Sequence, residues 1–169
     1  LPKLDAVIIS HDHYDHLDYS TIKLLRDKVS TFLAPHGIGN HLKKWGVRDN
    51  QIVELNWNES FSTKNIEFHC LPSRHFSGRG PLNRNSTLWG SWAIKSPPLK
   101  IYFSGDSGYG KHLKQIGDEH GGAPYCALGR RSCWLLGHGP PWLLRPPGAV
   151  ASQPGSRDHQ HRGEARDHD

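Results

Sequence analysis

Six consecutive residues, His11 to His16, read HDHYDH and follow the branched apolar run VII with only Ser10 between. A solvated loop has no need of such a density of imidazole and carboxylate. A core strand cannot bury these side chains without partners, because each unpaired buried polar group costs roughly 2–7 kcal/mol. A shared cation resolves the conflict. His11 and His13 stand two apart, so an extended turn aims both rings the same way, and Asp15 and His16 follow where they can face a second ion. Imidazole nitrogens with one carboxylate per ion suit zinc, with iron and manganese as alternatives.

The elements that must position this motif are legible up to about His120. LDAVIIS is a β-rich run that gives the motif a rigid base. DYSTIKLLRDKV predicts a helix, with Asp18 as its N-cap and Ile22, Leu25 and Val29 at helical spacing. TFLAP predicts a strand, IGNHLKKWG a short helix stopped by Gly46, and QIVEL and IEFHCL two more strands. STLWGSWAIK continues as a strand with Trp89 and Trp92 packed on its two sides, and LKIYFSG follows across Pro97–Pro98. KHLKQIGDEH closes the series as a helix. The class is α/β, in which loops at strand ends carry chemistry.

Residues 121–169 differ in character. These 49 residues contain no Ile, Phe, Thr, Asn or Lys, and they hold six of the twelve prolines and eight of the eighteen glycines. RDHQHRGEARDHD has no apolar period, so its His and Asp residues are expected to stay solvated rather than to ligate. The expected division is therefore a core over 1–120 and a disordered tail over 121–169. A shifted reading frame would produce such a tail.

Composition excludes several classes. The chain has 169 residues, 35% hydrophobic content and a mean hydropathy of −0.66, within the range of one lean domain. No stretch approaches the roughly 20 apolar residues of a transmembrane helix. Net charge is +5, but the basic residues are scattered without interleaved aromatics, which argues against nucleic acid as a partner. Cys70, Cys126 and Cys133 show no CxxC spacing, so neither a disulfide framework nor a thiolate zinc site is expected. The chain begins with Leu and contains no Met, and it is read as a fragment. The expected location is cytoplasmic or peripheral to a membrane, with export left open.

SHDHYDHLD resembles the HxHxDH motif of the metallo-β-lactamase superfamily. The resemblance implies a four-layer αβ/βα sandwich, here partial, with metals at the sheet edges. Alone, His75 in LPSRHFSGRG would be an ordinary surface histidine and Asp106 in IYFSGDSGYG an ordinary turn residue. Within the family pattern His75 becomes the third ligand of the first metal, and Asp106 the carboxylate that bridges two. LDAVIISHDHYDHLD, NRNSTLWGSW and IYFSGDSGYGKHLKQIG extend the likeness to the bacterial-type N-acylphosphatidylethanolamine phospholipase D-like group, over roughly residues 3–120. Two features depart from that group. The strands that members carry before the first motif are absent, and no residue stands in the context of their last metal-binding histidine, so His112, His120 and His138 stay unassigned.

What the resemblance implies is a hydrolase with two Zn2+ ions. His11, His13 and His75 would hold one ion, and Asp15 and His16 part of the other. Asp106 would lie between them, with Asp15 and Asp106 as the catalytic carboxylates. Two such ions lower the pKa of water towards neutrality and stabilise charge on a phosphoryl group. The implied substrate is a phosphodiester in a lipid headgroup at a membrane surface. Two alternatives stand beside it: another hydrolase of the superfamily, acting on a lactone, thioester or small phosphoester, or a non-catalytic metal-binding fragment that affects the cell envelope.

Overall fold

A computed structural model describes residues 2–121 and 125–128. Its strands are β1 (Leu4–Ile8), β2 (Val29–Pro35), β3 (Ile52–Leu55), β4 (Ser60–Thr63), β5 (Ile66–Leu71), β6 (Ser91–Ser96), β7 (Leu99–Phe103) and β8 (Tyr125–Leu128). Its helices are α1 (Tyr19–Leu25), α2 (Gly39–Lys44) and α3 (Lys111–His120), with a 3-10 turn at Asp49–Gln51. β1, β2 and β3 form a parallel sheet in that order. β4 to β8 form a second sheet, antiparallel except for the last pair, β7 with β8.

Alternation along the strands sets the layers. On β2, Phe32 and Ala34 point into a core with Ile22 of α1 and Leu42 of α2, while Leu33 between them points into a second core. That second core lies between the sheets, where Leu33 and Leu55 meet Phe68, Cys70 and Trp92. The opposite face of the five-stranded sheet presents Leu71, Ala93 and Tyr102 to Leu113 and Ile116 of α3. The order is helices, sheet, sheet, helix: the αβ/βα sandwich that the motif resemblance implied.

Several boundaries differ from the sequence reading. α1 stops at Leu25 and Val29 opens β2, yet Val29 packs in the same core as Ile22, so its apolar spacing served either assignment. β6 begins only at Ser91. Gly90, just before it, lies so close to Leu71 O that a Cβ there would approach to 3.0 Å. Trp92 is fully buried between the sheets, whereas Trp89 precedes the strand and donates from Nε1 to Ser73 O at 2.9 Å. β4 and β8 were not expected. The tail read from residues 121–169 lies outside the described residues apart from Gly121 and β8.

Candidate metal centre

The HDHYDH segment is a loop with two apolar ends and a polar middle. Ile9 and Leu17, at its ends, are buried in the core beneath the helices. Trp92 Nε1 donates to Ile9 O at 2.9 Å, tying the start of the loop to β6. One turn forms where the amides of His16 and Leu17 both donate to His13 O, at 3.0 and 2.8 Å. Asp18 then caps α1 by accepting from Thr21 N at 2.7 Å, as its position predicted.

Between those ends the rings converge. Ser10 Oγ lies 3.0 Å from His11 Nδ1 and 3.2 Å from His16 Nδ1, so one hydroxyl orients both rings and leaves each Nε2 facing elsewhere. His11 Nε2 meets His13 Nδ1 at 2.9 Å, and His75 Nε2 meets the same His13 atom at 3.2 Å. His16 Nε2 faces Asp106 Oδ2 at 3.2 Å. Two groups result, His11 with His13 and His75, and His11 with His16 and Asp106, each with donor atoms within 4.8 Å of one another. Asp15 lies outside both groups; it is largely exposed, with Oδ2 3.6 Å from His16 Nε2.

His75 and Asp106 come from the other sheet. His75 follows β5 and Asp106 follows β7, and the two loops are joined where Gly108 N donates to Arg74 O at 2.9 Å and Arg74 N donates to Ser107 Oγ at 3.0 Å. Gly105 has φ +55° and packs on Ser10, where a Cβ would stand 2.8 Å from Ser10 Cβ. Only glycine lets the Asp106 loop approach the histidine loop this closely.

Burial, reinforced by His16, His75 and His13, pushes the His11 imidazole down to about 3. Burial also lowers His75, with His13 adding to the effect and Asp106 opposing it. Imidazole nitrogens that face one another at 2.9–3.2 Å are a donor set for a cation. A tetrahedral ion with Zn–N bonds of about 2.0–2.1 Å keeps its nitrogens about 3.3–3.4 Å apart, so an outward shift of a few tenths of an ångström suffices. The residues present fit a divalent metal ion.

The arrangement defines a class: an αβ/βα sandwich with histidines and a carboxylate gathered where loops of both sheets meet. The chain belongs to the β-lactamase superfamily, whose domain model matches residues 1–139. An uncharacterized protein of Mycobacterium tuberculosis is 52% identical over 122 residues, covering 72% of this chain and 32% of that protein. The N-acyl-phosphatidylethanolamine-hydrolyzing phospholipase D 1 of Caenorhabditis elegans is 37% identical over 132 residues, covering 72% of this chain and 37% of that enzyme. The chain thus spans about a third of the length of these relatives. Among solved structures, CmlA, a diiron β-hydroxylase from Streptomyces venezuelae, superposes with a TM-score of 0.59 at 22% identity, over 72% of this chain and 24% of that one. That likeness concerns the fold.

Four participants escaped the sequence reading as functional residues. Ser10 orients two rings, Trp92 fixes the loop entrance, and Asp12 and Arg79 join the loops. Asp12 lies inside the motif and could have been questioned there. Nothing local marks Ser10 or Arg79.

Proposed function

We propose that this chain carries a dinuclear zinc centre and hydrolyses phosphodiesters of the N-acylphosphatidylethanolamine type. The observation that carries the reading is the convergence of His11, His13 and His75, with His16 and Asp106 alongside. His11, His13 and His75 would hold one ion, and His16 and Asp106 the other, with Asp15 close enough to His16 to join them. Bound there, the ions would supply Lewis acidity toward a phosphoryl oxygen and lower the pKa of water. The residues themselves have separate tasks. Ser10 holds His11 and His16 in one orientation, and the buried, neutral His11 keeps a lone pair available. Residues 1–120 would form the catalytic core.

Two observations favour a lipid phosphodiester. The C. elegans relative is named for that substrate. The loops bearing the histidines also expose Tyr14, Phe76 and Leu82, and Arg79 and Arg84 lie over the Tyr14 and Phe76 rings at 4.0 and 4.5 Å. Apolar and cationic groups side by side suit an acyl chain joined to a phosphate. No helix among the described residues is long and apolar enough to cross a membrane.

The test is release of N-acylethanolamine by the purified, zinc-loaded chain, with His75→Ala as control and a lactone and a small phosphoester as competing substrates. Turnover of the lipid, lost in the variant, is expected. Turnover of only the small substrates would replace the lipid reading by the broader hydrolase one, and no turnover of any would leave a metal-binding protein.

A further inference from the structure

We propose that Asp12 and Arg79 are positioning residues, a latch that holds the His75 loop against the histidine loop and so sets the spacing of the imidazoles; this rests on reading the site as a metal centre. Asp12 stands between His11 and His13 yet belongs to neither donor group, and it is fully buried. Its Oδ1 accepts a hydrogen bond from Gly78 N at 2.6 Å. Its Oδ2, buried and without a hydrogen bond, lies 3.7 Å from His41 Nε2 on α2. The backbone carbonyl of Asp12 accepts from Arg79 Nη1 at 2.7 Å, and the same nitrogen donates to Leu17 O at 2.7 Å. Two successive residues of one loop therefore grip one residue of the other, and Arg79 also grips the residue that plugs the loop into the core.

The guanidinium is itself held. It lies 4.0 Å from the centre of the Tyr14 ring and 5.2 Å from that of Trp45, and Tyr14 Oη donates to Arg79 O at 2.9 Å. Gly78 has φ +136°, and a Cβ there would stand 3.1 Å from both Arg84 Cα and Asn83 O, so the turn that presents its amide to Asp12 is specific to glycine. Just before it, Ser77 is buried and donates to Thr87 O at 2.6 Å, fixing the chain between Gly78 and His75. Contacts of this outer kind typically change metal affinity about 10–100-fold.

The experiment uses the full chain and the variants Asp12→Ala, Asp12→Asn and Arg79→Gln, with His75→Ala as reference. Zinc affinity is read by competition with a chromogenic chelator, and amide hydrogen exchange is read in EDTA. Asp12→Ala and Arg79→Gln are expected to lose about 10–100-fold in zinc affinity. Asp12→Asn, whose amide oxygen still accepts from Gly78, should return close to the parent. In EDTA, exchange over residues 76–80 should speed up in Arg79→Gln while β5, β6 and β7 keep their parental rates. Parental zinc affinity in both Asp12→Ala and Arg79→Gln would overturn the latch, and so would exchange that rises equally across both sheets. Should Asp12→Ala fail to fold, Arg79→Gln decides. Equal zinc binding by the parent and His75→Ala would instead refute the metal reading, and unchanged exchange over 76–80 would then refute the latch as well.

Discussion

His16 Nε2 lies 3.2 Å from Asp106 Oδ2, although one residue follows the first strand of the parallel sheet and the other follows β7 of the second sheet. The two halves of the candidate site touch here, as they also do where His75 Nε2 meets His13 Nδ1 at 3.2 Å. Removing either side should affect one group of donors more than the other. His16→Ala and Asp106→Ala are expected to lower zinc content toward one ion per chain, whereas His75→Ala should weaken the other group. Elemental analysis after dialysis against limiting zinc checks this. In each case the affinity loss should exceed the roughly 10–100-fold typical of outer contacts. Unchanged stoichiometry in all three variants would refute the assignment.

Gly105→Ala should be destabilising beyond its size. The residue occupies φ +55°, and the new Cβ would meet Ser10 Cβ at 2.8 Å. Overpacking of this kind costs about 1–3 kcal/mol. Urea unfolding of parent and variant measures the difference, and the shift of Ser10 should also reduce zinc affinity.

Trp92 couples the core to the loop. Trp92→Phe keeps most of the packing between the sheets but leaves Ile9 O without its indole donor, an expected loss of about 1–3 kcal/mol. Trp92→Ala removes the packing as well, and about 3–5 kcal/mol is expected. Equal losses in the two variants would mean that the hydrogen bond, rather than the ring volume, carries the effect.

Cys70 should be chemically silent in the folded chain. It is fully buried, and burial, with Glu59 adding to it, pushes its thiol up to about 12. Alkylation at pH 8 followed by peptide mapping should leave Cys70 unmodified until denaturant is added. The sign of the pH effect follows from the raised value. The unfolded thiol ionises near 8.5–9, so the contribution to stability is complete below that pH and declines as pH rises toward about 12. Unfolding titrations between pH 7 and 10 should show the onset of this decline.

The strands and helices that carry strong periodicity were legible in the sequence. β5 and α3 occupy the segments read for them, because IEFHCL alternates its apolar residues and KHLKQIGDEH spaces Leu113 and Ile116 on one face. β4 was not, since SFST offers Phe61 as its single apolar residue and gains its order from pairing with β5. β8 gains its order in the same way, by parallel pairing with β7 across a helix. The histidine motif announced itself through density. Ser10 and Arg79 did not, because their roles exist only once two distant loops are brought together.

The candidate site draws three imidazoles from the end of the parallel sheet and His75 and Asp106 from the other sheet. An ion held by both is therefore also a cross-link between the two sheets, and its binding energy becomes cohesion of the sandwich. Free metal at 100 times its dissociation constant adds about 2.7 kcal/mol to the stability of a fold that alone can bind it. Melting temperature should accordingly climb with zinc concentration and fall back on chelation, so that the supply of metal governs how long the chain stays folded as well as whether it can react.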